Sequence, residues 1–181
     1  MQTWKTVKRE TAFRHSKWVT VENHQIQLPD GKVLTEWPWI ITPDFINVIA
    51  VTDEGRFLLF RQTKYAVPGV VLAPVGGYLE AGEDPLEAAR RELLEETGYE
   101  APDWTSLGTY AVDGNHGVST AHCYLARNAR KSGRSGQAES DDLEEQELVE
   151  LTRREVMEEV SKRNFKVMSW MTAMALALLE P

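Results

Sequence analysis

The chain has 181 residues, a formal net charge of −8, a hydrophobic fraction of 42% and a single cysteine, Cys123. That length suits one well-cored domain with a small appendage, and the acidic balance argues against a nucleic-acid surface built on broad electrostatics. One cysteine forms neither an internal disulfide nor a cysteine-rich zinc site, which fits a reducing cytoplasm, and Cys123 reads as a buried strand residue.

In chain order, Lys17 to Leu28 (KWVTVENHQIQL) alternates in part, Pro29-Asp30-Gly31 makes a turn, and Lys32 to Ile41 (KVLTEWPWII) resumes an extended pattern. These predict an N-terminal antiparallel sheet over residues 1–42, ahead of a second domain over 43–181. Phe45 to Thr52 (FINVIAVT) and Arg56 to Arg61 (RFLLFR) flank the turn Asp53-Glu54-Gly55 and predict a hairpin. The Pro- and Gly-rich stretch Val67 to Gly77 then leads into a helix. Asp84 is a good N-cap, Pro85 fits the first helical position, Glu87 completes a capping-box-like pattern, and Gly98 supplies the stop. Leu86, Ala89, Leu93 and Thr97 recur at helical spacing and face a core.

Strands are predicted around Thr105 to Val112 and Ala121 to Asn128. A polar run from Asn128 to Asp142 follows, then a strand at Glu147 to Thr152 and helical stretches at about 153–163 and 165–179. The longest largely apolar stretch, Val167 to Leu179, spans 13 residues and is interrupted by Ser169 and Thr172, so no membrane span is expected. The opening MQTWKTVKRE has no apolar signal core. Mixed strands with few alternating βα units predict an α+β fold.

The chemistry concentrates in the segment Gly77 to Tyr99, GYLEAGEDPLEAARRELLEETGY. Glu92 and Glu96 are four apart on one helix face with Glu95 beside them, a spacing at which like charges repel. A cation relieves that repulsion, and carboxylate oxygens are what a hard ion such as Mg²⁺ prefers. Taken alone, a Glu-rich helix is more often a solvated face. Here, however, Gly77, Glu83, Arg91, Glu92, Leu93, Glu95, Glu96 and Gly98 stand at the spacing of the signature of the Nudix hydrolases, which the segment resembles position for position. Tyr99 is the one departure, where that family more often has an aliphatic residue.

The resemblance implies an α/β/α sandwich with a mixed sheet and a loop-helix-loop site that hydrolyses a nucleoside diphosphate linked to another group. By the same resemblance, Gly76 (through its carbonyl), Glu92, Glu95 and Glu96 are the metal ligands, for Mg²⁺ or Mn²⁺. Glu95 acts directly or through water, Glu83 serves a further metal or its water shell, and Arg91 orients the acids through a bidentate pair.

Outside the signature, the order of parts resembles the ADP-ribose pyrophosphatase branch, which hydrolyses nucleoside diphosphate sugars to a nucleoside monophosphate and a sugar phosphate. The shared features are the N-terminal sheet, the Leu28 to Gly31 turn, the Arg61-Gln62 pair ending a strand, and Glu147 to Leu151 after an acidic loop. A homodimer built on the N-terminal sheet is implied as well. Two departures widen the substrate beyond ADP-ribose: Ala73-Pro74-Val75-Gly76-Gly77 lacks the lead-in Glu of that branch, and Val112 to Gly117 lacks its Pro-Gly pair.

The branch places its catalytic base on an acidic loop. Ser132 to Glu147 has that composition, and Gly133 and Gly136 loosen its start, so a loop that orders on substrate and metal is expected. Glu145 aligns with the base, with Glu144 as the near alternative. Trp37 and Trp39 are candidates to stack on the nucleobase, Arg61 and Lys64 to meet phosphate or sugar, and His116 to select substrate, each weighed against a plain core or surface role. Two other readings remain open. One is a hydrolase of dinucleoside polyphosphates, nucleoside triphosphates or capped RNA. The other is a sensor that binds nucleotide without cleaving it, for which retention of Glu92, Glu95 and Glu96 together would serve no purpose.

Overall fold

The structure is a computed structural model that describes residues 1–133 and 145–181. By its internal contacts the chain divides into two units, Met1–Asp44 with Tyr110–Thr120, and Phe45–Thr109 with Ala121–Pro181.

In the first unit β1 (Lys5–His15), β2 (Val19–Gln27) and β3 (Val33–Ile41) form an antiparallel meander. The Pro29-Asp30-Gly31 turn closes with Gly31 N–H donating to Leu28 O at 2.9 Å, and the Asp30 side chain accepts from the Lys32 amide. All eleven residues of β1 are exposed, including Val7 and Phe13. This unit also takes in the loop after Val112 and the start of a long strand, where Gly117 and Val118 pair in parallel with Ile40 and Ile41.

The second unit contains β4 (Phe45–Thr52), β5 (Arg56–Lys64), β6 (Val67–Ala73), β7 (Val75–Tyr78), α1 (Pro85–Thr97) and β8 (Tyr99–Glu100). It continues with most of β9 (Asp103–Asp113) and β10 (Gly117–Lys131), then β11 (Gln146–Thr152), α2 (Arg153–Ser161) and α3 (Met168–Leu179). β4 is central, parallel to β10 on one side. On its other side Phe45 to Val48 pair with β7, and Ala50 and Val51 pair with β5. β5 in turn pairs with β6 and β11.

Alternation along these strands separates two cores. Ile46, Val48, Ala50, Leu58 and Phe60 pack with Ala88, Ala89 and Leu93 of α1. Ile49, Phe57, Leu59 and Leu125 pack with Val156 of α2 and Ala173, Met174 and Ala177 of α3. The unit is thus an α/β/α sandwich with a mixed sheet, as the resemblance implied.

Two local features beyond the sequence reading have physical causes. Val67 to Gly77, to which the sequence assigned no element, forms two strands, because Val71, Leu72, Ala73 and Val75 are buried while Pro68 sits exposed outside the paired core of β6. In α1, Asp84 caps by accepting from the Leu86 and Glu87 amides at 2.9 and 3.2 Å, but the Glu87 carboxylate accepts from Arg90. The reciprocal box forms at α2, where Glu155 N–H donates to Thr152 Oγ1 and Thr152 N–H donates to Glu155 Oε2. No helix among the described residues is long and apolar enough to cross a membrane.

Candidate active site

The acidic face of α1 is organised by one guanidinium. Arg91 Nε and Nη2 donate to the two oxygens of Glu83 at 2.9 and 3.1 Å, a bidentate pair, while Nη1 donates to Glu92 Oε1 at 2.8 Å and Glu95 Oε2 at 3.0 Å. Nη2 also reaches the Tyr78 carbonyl at 3.5 Å. The helix supplies Arg91, Glu92 and Glu95 at spacings of one and four residues, and the Asp84 cap fixes where the preceding Glu83 meets them. Arg91 hydrogen-bonded to Glu83, together with the Glu80 amide, holds the Glu83 carboxyl below the usual carboxylate range. Arg91 is itself pushed further up, chiefly by its bond to Glu83.

The second half of the site is the short strand β7. Glu96 Oε2 accepts from the Gly76 amide at 3.3 Å. Gly77 leaves the space that Glu92 occupies, since a Cβ on Gly77 would collide with the Glu92 carboxylate. That close approach explains the glycine physically, and it was not readable without knowing that β7 lies beneath α1. Glu92 is half-buried, Glu95 exposed.

The Glu92 and Glu96 carboxylate oxygens at this strand-helix gap are hard donors of the kind that hold a small divalent cation. The seat that Gly77 leaves for the Glu92 carboxylate brings that group against the backbone of β7, so the residues present fit such an ion.

Within the second unit, Arg61 does not share the face of this cluster. Arg61 falls on the sheet face of Phe57 and Leu59, toward α2, with Nη1 3.5 Å from Glu147 Oε2, whereas the acidic cluster covers the opposite face. Glu145 is exposed immediately before β11, whose first register pair is Gln146 with Gln62. Gly136 and Glu144 lie outside the described residues.

In the first unit, Trp37 stacks on His116 with ring centroids 6.0 Å apart, meets Trp4 edge-on at 5.5 Å, and donates Nε1–H to Asn115 O at 2.8 Å. His116 Nδ1 is 3.2 Å from Asp113 Oδ2. Asp113 also accepts the Asn115 and His116 amides, and these backbone bonds hold its carboxyl below the usual range. Trp39 is enclosed by His24 at 5.2 Å and by Gly117, where a Cβ would strike the indole. A cavity of about 170 Å³ remains, lined by Trp4, Lys5, Arg9, His24, Trp37 and Trp39. Sequence reading did not find Trp4 or Asp113; the Asp113 to His116 spacing was a usable signal, whereas Trp4 joins only through the fold.

Together the fold, the glycine-seated carboxylates and the Arg91 network define a hydrolase acting on phosphoric anhydrides. The chain belongs to the Nudix family, whose NUDIX domain model matches residues 43–171. A second model, the nucleoside diphosphate sugar hydrolase N-terminal domain, matches residues 4–40.

Among curated relatives, the chain is similar to the ADP-ribose pyrophosphatase of Bacillus subtilis (strain 168), at 30% identity over 97% of this chain and 92% of the relative. It is also similar to the methanol dehydrogenase activator of Bacillus methanolicus, at 28% over 88% and 84%. A crystal structure of an ADP compounds hydrolase superposes with a TM-score of 0.76 at 22% identity, covering 97% of this chain and 92% of that one, and shows the shared fold.

Proposed function

We propose that this chain hydrolyses a nucleoside diphosphate sugar, of the ADP-ribose class in the broad sense, to a nucleoside monophosphate and a sugar phosphate. The observation that carries the reading is the Glu92 carboxylate seated against Gly77 beside Gly76 and Glu96. Support for a sugar-linked diphosphate comes from the match of residues 4–40 to the nucleoside diphosphate sugar hydrolase N-terminal domain and from the pyrophosphatase of Bacillus subtilis.

The Gly76 carbonyl, Glu92 and Glu96 hold the divalent ion in this reading, with Glu95 taking part directly or through water; Mg²⁺ is the natural occupant and Mn²⁺ a substitute. When bound there, the ion supplies Lewis-acid neutralisation of the diphosphate oxygens. Arg91 fixes the carboxylates that would otherwise repel one another. Water attacks one phosphorus, the bridging P–O bond of the anhydride breaks, and Glu145 takes the proton that the water loses. Within the first unit, Trp37, Trp39 and His116 serve as a seat for a base, with the cavity that Trp37 and Trp39 line as the space for it.

Residues 1–42 act as a dimerising extension of a catalytic domain over 43–181. The exposure of all eleven residues of β1, with Val7 and Phe13 among them, favours a second copy of the chain as the cover. A cytoplasmic setting fits the lone buried Cys123.

The test is a Mg²⁺-dependent hydrolysis screen over ADP-ribose, GDP-mannose, other nucleotide sugars, dinucleoside polyphosphates and nucleoside triphosphates. Turnover of a nucleotide sugar into two monophosphates is expected. Turnover confined to the polyphosphates or triphosphates would overturn the substrate class, and binding without turnover of any compound would make the protein a sensor.

A further inference from the structure

Strand β10 carries His122 onto the sheet face that bears the acidic helix. In the register His122 lies opposite Ile46 of β4, and Ile46 lies opposite Gly77 of β7, so the three residues form one row across the sheet. Paired residues in a sheet point to the same face. That face is fixed twice: Ile46 is buried in the core beneath α1, and the Cβ direction of Gly77 runs into the Glu92 carboxylate. Two strand spacings place the His122 backbone about 10 Å from that of Gly77. The next residue of β10 on this face, Tyr124, packs on the α1 core and feels the charge of Asp84 at the helix N-cap.

His122 is half-buried between Ala121 and Cys123, which are 3% and 1% exposed. Its Nδ1 is 3.3 Å from Thr109 Oγ1 of β9. Among the described residues Nε2 has no partner. A neutral imidazole offers one donor and one acceptor, and a polar group brought this close to a core is costly unless both are answered. Thr109 answers one nitrogen and fixes the ring, which leaves Nε2 as a single directional group on the sheet face that bears the acidic helix, two strands away from Gly77. A hydroxyl, able to give or to take a hydrogen bond, matches such a group in either tautomer.

We propose that His122, oriented by Thr109, contacts a hydroxyl of the sugar that adjoins the diphosphate, an assignment that rests on the nucleoside diphosphate sugar reading. It makes His122 a specificity-determining residue, with Thr109 as its positioning partner.

The experiment compares ADP-ribose with ADP, which lacks the second sugar, by titration calorimetry on the full chain without divalent metal, for wild type, His122→Ala and His122→Gln. His122→Ala is expected to weaken ADP-ribose binding by about three- to tenfold, the size of one hydrogen bond, and to leave ADP binding unchanged. His122→Gln, which restores a polar group near Nε2, is expected to recover most of the loss, and kcat on ADP-ribose should change less than KM. Equal weakening of both ligands would mean a structural role and overturn the inference, as would unchanged binding of both. A wild type that cleaves no nucleotide sugar while cleaving other nucleotides would instead overturn the substrate reading on which the inference rests.

Discussion

The molecule contains two clusters made of opposite materials. In the second unit Arg91 binds three carboxylates within 3.1 Å, and a glycine makes room for one of them. In the first unit Trp4, Trp37 and His116 form a ring chain, Trp39 is enclosed by His24 and Gly117, and two of the members, His24 and His116, each meet a carboxylate, Glu22 at 2.8 Å and Asp113 at 3.2 Å. The charged cluster is held by electrostatics that a partner ion or a change of pH can rebalance. The aromatic one is held chiefly by shape and contact area, with two histidine–carboxylate pairs at its edge. The first is suited to chemistry on a charged centre, the second to holding a flat, weakly polar group in place.

The sharpest way to break that contrast is Arg91→Gln. Removing the guanidinium leaves Glu83 and Glu92, both largely shielded from water, without their shared cation, at a cost of about 2 kcal/mol. The sign of the pH dependence follows from Glu83. Its carboxyl sits below the usual range in the folded protein, so its ionised form favours folding. That stabilisation is present above the ordinary carboxylate pKa and is lost as pH falls through the folded value. Denaturant melts should therefore show the gap between wild type and Arg91→Gln closing as the solution is acidified; a gap that held constant or widened would mean that the cluster is not held by charge.

Gly117→Ala is the matching perturbation of the aromatic cluster. The residue has a φ of 77°, and a Cβ there would strike Trp39, so the substitution combines backbone strain with overpacking, about 1–3 kcal/mol. The expected readout is a shift in tryptophan emission together with a loss of stability at neutral pH. An unchanged emission spectrum would show that Trp39 is not packed on the loop.

The same contrast governs how much could be read in advance. The acidic helix is local: its cap, its stop and the spacing of Arg91, Glu92, Glu95 and Glu96 all lie within one short segment, so helical periodicity and the family signature disclose it together. Gly77 was legible as part of the signature, but its physical task depends on β7 lying under α1, which only the strand register reveals. No strand was legible in Val67 to Gly77 because Pro68, Gly69 and Pro74 weaken the signal, and pairing with β4 and β5 overrides that weakness. Arg61 could be assigned to a strand, yet its sheet face, toward α2, follows from the packing of Phe57 and Leu59. The aromatic cluster joins residues 4, 37 and 116, and no local rule connects positions so far apart.

The central claim is that Glu92, Glu96 and the β7 backbone form a divalent-ion site, and Mn²⁺ binding followed by electron paramagnetic resonance, without nucleotide, addresses it most directly. Wild type should bind Mn²⁺, and Mg²⁺ should displace it. Glu96→Gln should weaken binding by roughly 10- to 100-fold or more while its melting temperature without metal stays close to that of wild type. Equal Mn²⁺ affinity in the two proteins would contradict the claim and leave the acidic face of α1 a solvated surface.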